Sequence, residues 1–92
     1  MSDRYDLNKM DLGETGWQIK TRAARILVRH RLPALPQDAR IRISEIQSSW
    51  SDDTVRVEWS AETGAMFWKK SSGQGVITTT IAEFNAFMNR YC

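Results

Sequence analysis

The chain has a single cysteine, Cys92, among 92 residues, so an internal disulfide is impossible and a zinc site built on several thiolates is excluded. That terminal thiol reads as a bystander. Histidine is equally scarce: His30 stands alone, with no Cys or Ser at motif spacing, and a nucleophilic triad has no support. It lies beside an apolar helical arc and is expected to be a satisfied, partly buried imidazole. No apolar run approaches the roughly eighteen residues that a membrane span requires. The opening "MSDRYDLNKMDLGETG" carries charge where a signal peptide would carry its apolar core, so a cytoplasmic protein is expected. The glycines form no phosphate loop, since "GQG" is not followed by Lys-Ser/Thr and does not extend to G-x-G-x-x-G.

What is present is a core-forming composition. Hydrophobic residues make up 41% of the chain and include four Trp, three Phe and two Tyr, while the mean hydropathy of −0.49 indicates a polar exterior. A chain of this length buries roughly 60–65% of its unfolded surface, which is enough for one small domain over residues 1–92.

The formal net charge of +2 conceals strong segregation. Residues 18–42 carry Lys20, Arg22, Arg25, Arg29, Arg31, Arg40 and Arg42 against Asp38 alone, a net +6. Residues 43–68 carry Glu45, Asp52, Asp53, Glu58 and Glu62 against Arg56, a net −4. Such segregation bears on partners and association rates more than on fold.

The first sixteen residues show neither helical nor strand periodicity and read as a lead-in, with residues 1–14 expected to be partly loose. From "TGWQ" a helix is expected, with Thr15 and Gln18 in capping-box spacing. At 100° per residue, Ile19, Ala23, Ala24, Ile26, Leu27 and Val28 fill an apolar arc, and Arg22, Arg25 and Arg29 gather opposite. A competing reading makes "WQIKT" a short strand. Pro33 and Pro36 end the helix in a rigid connector.

"ARIRISEI" then alternates, with Ile41 and Ile43 on one face and Arg40, Arg42 and Ser44 on the other. "SSWSDD" is a turn capped by its aspartates, and "TVRVEWS" is the clearest strand, with Val55, Val57 and Trp59 on one face. "AETG" reads as a hairpin loop with Gly64 at positive φ, "AMFWKK" as the returning strand and "SSGQG" as a flexible loop. "VITT" is a brief fourth strand or a lead into the last element. Thr80 and Glu83 form a second capping box, and Ile81, Phe84, Phe87, Met88 and Tyr91 mark an amphipathic C-terminal helix. The expected fold is α+β: a small antiparallel sheet of three to four strands with an N-terminal basic helix and a C-terminal amphipathic helix, α-β-β-β-(β)-α.

The candidate binding residues are the arginines Arg22, Arg25, Arg29, Arg31, Arg40 and Arg42, joined by Lys69 and Lys70 of "FWKKSSGQG". Guanidinium forks one helical turn apart can grip successive phosphates or carboxylates, and aromatics beside lysines suit a single-stranded nucleic acid. Trp68, on a face with Met66, is expected in the core, leaving Phe67 or Trp50 as the exposed aromatic. Arg56 and Glu58 are expected to form a cross-strand charge pair, and Asp52, Asp53, Glu58 and Glu62 an acidic pole at one end of the hairpin. No cofactor, metal or catalytic group is expected.

The order α-β-β-β-α is also that of double-stranded-RNA-binding domains. Here, however, the first inter-strand loop "SSWSDD" is acidic and the last helix opens "TTTIAEFN" without lysine, so both binding signatures of that family are missing. In size, lack of motifs and segregated charge, the chain resembles phage accessory proteins, including anti-CRISPR inhibitors. That resemblance covers size and style and specifies no residue; it implies a non-enzymatic inhibitor of a nucleic-acid-guided nucleoprotein complex, on which the arginine face read from the residues is expected to dock. A direct DNA- or RNA-binding module and a phage structural or assembly protein, its arginines facing acidic protein surfaces, are the alternatives. The sequence leaves the oligomeric state open.

Overall fold

Alternation of β-branched and polar residues in "TVRVEWSA" produces the central strand of the molecule, which is flanked on both sides in the sheet. The structure is a computed structural model and describes residues 5–7, 13–64 and 70–92. The order along the chain is α1 (Gly13–Arg31), β1 (Arg40–Ser49), β2 (Thr54–Thr63), β3 (Lys70–Thr80) and α2 (Ile81–Tyr91). Among the described residues the sheet has three antiparallel strands in the order β1-β2-β3, which is the expected α+β architecture.

Val55, Val57, Trp59 and Ala61 of β2 point to the helical layer and are buried with Ile77 of β3. Ala23, Ala24, Leu27 and Val28 of α1 and Ile81, Phe84 and Met88 of α2 close the core from the other side. Two adjacent alanines at zero exposure allow α1 to approach its neighbours closely, and the residues around them seal against water. The opposite face of the sheet is not covered by either helix, and its exposed residues on β2 are Arg56 and Glu58.

Several expectations change. The segment "WQIKT" is helical, and α1 opens at Gly13, so Thr15 lies within the first turn and is not its N-cap. "SSGQG" is not a loop: it is the first half of β3, and "VITT" continues it, so among the described residues "VITT" forms no separate fourth strand. The reason is tertiary. The Trp59 indole lies across β3, where a Cβ at Gly73 would come within 3.2 Å of it and one at Gly75 within 3.6 Å. Glycines here make room for an aromatic on the neighbouring strand, as they do elsewhere where an aromatic covers a strand glycine. The expected strand over "AMFWKK" falls on residues 65–69, outside the described residues, apart from Lys70 at the start of β3, and so do Met66, Phe67 and Trp68.

The lead-in is also corrected where it is described. Asn85 and Asn89, one turn apart on α2, receive residues 5–7: Asn85 Oδ1 accepts from the Leu7 N–H (2.9 Å), and Asn89 Oδ1 accepts from the Tyr5 N–H (2.7 Å). The Asn89 amide donates in turn to the Tyr5 carbonyl (2.8 Å), and Leu7 is buried. Two side-chain amides thus act as a docking strip for a segment without periodicity of its own.

At the other end, Thr80 caps α2 by accepting from the Glu83 N–H at 3.0 Å, half of the expected capping box. The Glu83 carboxylate turns instead to Arg31. His30 is exposed rather than partly buried; it lies in the last turn of α1 and meets Phe87 of α2 in a T-shaped contact, with centroids 5.7 Å apart. Among the described residues no helix is long and apolar enough to cross a membrane.

Candidate anion-binding surface

Helical periodicity places Arg22, Arg25 and Arg29 on one side of α1, but the fold treats them differently. Arg22 and Arg25 are exposed and have no hydrogen bond or ion pair among the described residues. Arg29 is half-buried beneath the connector between α1 and β1. Its guanidinium donates to the carbonyls of Pro36 (3.0 Å), Gln37 (3.1 Å) and Ala39. Those carbonyls belong to a Pro-bounded turn with few backbone donors of its own, in which Ala39 N–H reaches Pro36 at 3.0 Å. Arg29 therefore holds the connector in place.

Arg31 is likewise engaged. Its Nη2 lies 2.7 Å from Glu83 Oε1 and 3.4 Å from Thr79 Oγ1, joining the end of α1 to the start of α2. The Arg31 guanidinium, with the Thr79 hydroxyl adding to its effect, holds the Glu83 carboxyl below the usual carboxylate range.

Arg40 and Arg42 share the outward face of β1, as the alternation in "RIRI" requires, and both are exposed. Arg40 donates to the Gly64 carbonyl at 3.2 Å, whereas Arg42 has no hydrogen bond or ion pair among the described residues. Lys69 and the side chain of Lys70 lie outside the described residues.

A groove of about 480 Å³ runs between α1 and β1. Ile26, Ala39 and Ile41 form its apolar floor, and Arg25, Arg29 and Arg40 stand around it. The arginine pattern was legible in the sequence, but this apolar floor was not: Ile26 and Ile41 are separated by the connector, and their side-by-side placement follows from how Arg29 folds it. The site so formed offers apolar contact flanked by guanidinium groups, a combination suited to an anionic partner with some apolar surface.

The open sheet face carries the acidic residues, arranged otherwise than expected. Glu58 lies mid-strand and Glu62 at the far end of β2 from the Asp52–Asp53 turn, a separation of about 30 Å at strand rise, so they form no single pole. Arg56 and Glu58 share one strand and form no ion pair; the residue opposite Glu58 is Glu45 of β1. The aspartates do serve the turn. Asp52 accepts from Ser49 Oγ at 3.2 Å, and Asp53, at φ 55°, gives its carbonyl to Ile81 N–H. Trp50 beside them is exposed.

Among the described residues no group of three or more His, Cys, Asp or Glu side chains could hold a metal ion. No family model matches the chain, and no curated protein or solved structure matches it.

Proposed function

We propose that this protein is a non-enzymatic binding protein that docks an arginine surface, centred on Arg22 and Arg25 with Arg40 at the groove rim, onto an anionic partner. The concrete form of the reading is a cytoplasmic, anti-CRISPR-like inhibitor of a nucleic-acid-guided nucleoprotein complex. One observation supports it above the others: folding employs Arg29 and Arg31 but leaves Arg22 and Arg25 exposed, with no intramolecular partner among the described residues. Among the described residues no acid pairs with them, and a charged face of this kind accelerates encounter with an oppositely charged target.

The test is a pull-down from bacterial lysate, with and without nuclease, using the native chain and the double variant Arg22→Glu/Arg25→Glu. A discrete nucleoprotein retained by the native chain after nuclease, and lost by the variant, is the expected result. Retention of nucleic acid alone, with log K falling against log salt at a slope of about −3 to −4, would make the protein a direct nucleic-acid binder contacting about four phosphates. Identical capture by both chains would remove the arginines from the interface.

A further inference from the structure

Among the described residues β1 is an edge strand of ten residues: β2 pairs with one side, and no described strand pairs with the outward N–H and C=O groups of the other. Its exposure pattern is broken in the middle. Ile41 and Ile43 face inward at even spacing, Ser44 and Glu45 are both exposed, and Ile46 faces inward again, because the register with β2 shifts by one residue between Ile43 and Glu45. The bulge thereby inverts the parity of the strand's second half relative to its first.

We propose that β1 pairs antiparallel with β1 of a second copy of this chain, about a two-fold axis between Ile43 and Ser44, to form a continuous six-stranded sheet. In this register Arg42 stands opposite Glu45 of the second copy, Ile41 opposite its Ile46, and Arg40 opposite its Gln47, each pair occurring twice. In a regular strand such pairings would set inward residues against outward ones. The bulge removes the conflict on either side of the axis, where Ile41 and Ile46 both face the helical layer and Arg42 and Glu45 both face the open side; only the axial pair, Ile43 and Ser44, sets an inward residue against an exposed one.

Charge selects this register. Pairing Arg42 with its own copy would stack like charges at the axis, whereas Arg42 against Glu45 places opposite charges across each strand pair. Glu45 belongs to an open-face group of net negative charge, Glu45 and Glu58 against Arg56. It lies directly opposite Glu58 on β2, a like-charge pair, and its Oε1 is bound by the Gln47 amide at 2.6 Å without neutralisation. Arg42 from the second copy reaches it from the unpaired side. Half-buried Ile41, Ile43 and Ile46 supply the apolar seam, with the groove floor at Ile26 continuing it. β3, the other edge, has no charged side chain from Ser71 to Thr80 with which to specify a register.

Sedimentation equilibrium of the native chain, Arg42→Glu, Glu45→Arg and an equimolar mixture of the two variants tests the pairing. The native chain is expected to show a concentration-dependent monomer–dimer equilibrium. Each variant alone faces like charges twice, and its dimer dissociation constant should rise at least about tenfold. In the mixture the Arg42→Glu chain, acidic at both positions, meets the Glu45→Arg chain, basic at both. Opposite charges then face each other at both contacts, so a one-to-one heterodimer should form with native-like affinity. A native chain that remains monomeric at all soluble concentrations overturns the proposal without recourse to any variant. So does a dimer that both variants retain unchanged, or a mixture that stays monomeric although each variant melts like the native chain. Glu45→Arg leaves Arg22, Arg25 and Arg40 in place, so loss of dimer and loss of anionic partner are read separately.

Discussion

Arg31 and Glu83, 52 positions apart in the chain, meet at 2.7 Å and fasten the last turn of α1 to the first turn of α2. Sequence periodicity placed Arg31 among the binding arginines; the fold gives it an intramolecular acid instead. The same pair explains why the Thr80–Glu83 capping box is completed only by its threonine arm, since the glutamate side chain is directed at Arg31. One residue therefore serves helix entry through its N–H and helix packing through its carboxylate.

That coupling predicts a pH dependence. A carboxyl whose folded pKa is lowered contributes stability above its unfolded pKa and loses it as pH falls through the folded value. The contribution of Glu83 should be complete at neutral pH and disappear as pH falls through and below the ordinary carboxylate range. Both side chains are about 40% exposed, so solvent screening keeps the pair to under about 1 kcal/mol. Urea denaturation of the native chain and Arg31→Ala as a function of pH should show two curves that differ at pH 7 and converge in acid. Curves that remain parallel down to the acid limit would exclude the pair as a source of stability.

Trp59 makes a different demand on the sheet. Its ring covers Gly73 closely enough that a Cβ there would sit 3.2 Å from it, whereas at Gly75 the nearest approach is an ordinary 3.6 Å. Gly73 also has φ of 155°, a conformation that side chains rarely adopt, and Leu35 of the connector would lie 3.7 Å from a Cβ there. Gly73→Val should destabilise the protein by about 1–3 kcal/mol through overpacking against Trp59 together with backbone strain at its positive φ, while Gly75→Ala should stay within about 1 kcal/mol of native. Thermal melts of the two variants separate these outcomes, and equal effects would mean that Trp59 does not set the shape of β3.

How much of this was written in local sequence depends on where the partner of each residue lies. α2 was legible because its apolar spacing and its Thr80 cap are encoded within twelve residues. The break in β1 was also available as a spacing of three between Ile43 and Ile46 where a regular strand has two. Local reading fails for β3 at "SSGQG" because glycine normally signals a loop, and the requirement for it comes from an indole on another strand. Residues 5–7 lack periodicity because Asn85 and Asn89, near the other end of the chain, supply their order. The arginines were legible as a group but not as individuals: carbonyls, a carboxylate and solvent divide them, and that division is tertiary.

The division can be tested on Arg29 against its helical neighbours. Arg29 meets three carbonyls with two nitrogens of one planar fork, which a lysine ammonium cannot reproduce. Arg29→Lys should therefore cost about 1–2 kcal/mol, near the lower range for hydrogen bonds from a charged group because the site is only half-buried. Arg22→Glu/Arg25→Glu touches no intramolecular partner among the described residues and should stay within about 0.5 kcal/mol of native. The triple reversal that adds Arg29→Glu should then melt well below the double, since a carboxylate would face the carbonyls of Pro36, Gln37 and Ala39. Chemical denaturation of the three variants provides the comparison. If the triple reversal proved as stable as the double, Arg29 would rejoin the free arginines and the binding surface would extend along the whole stripe of α1.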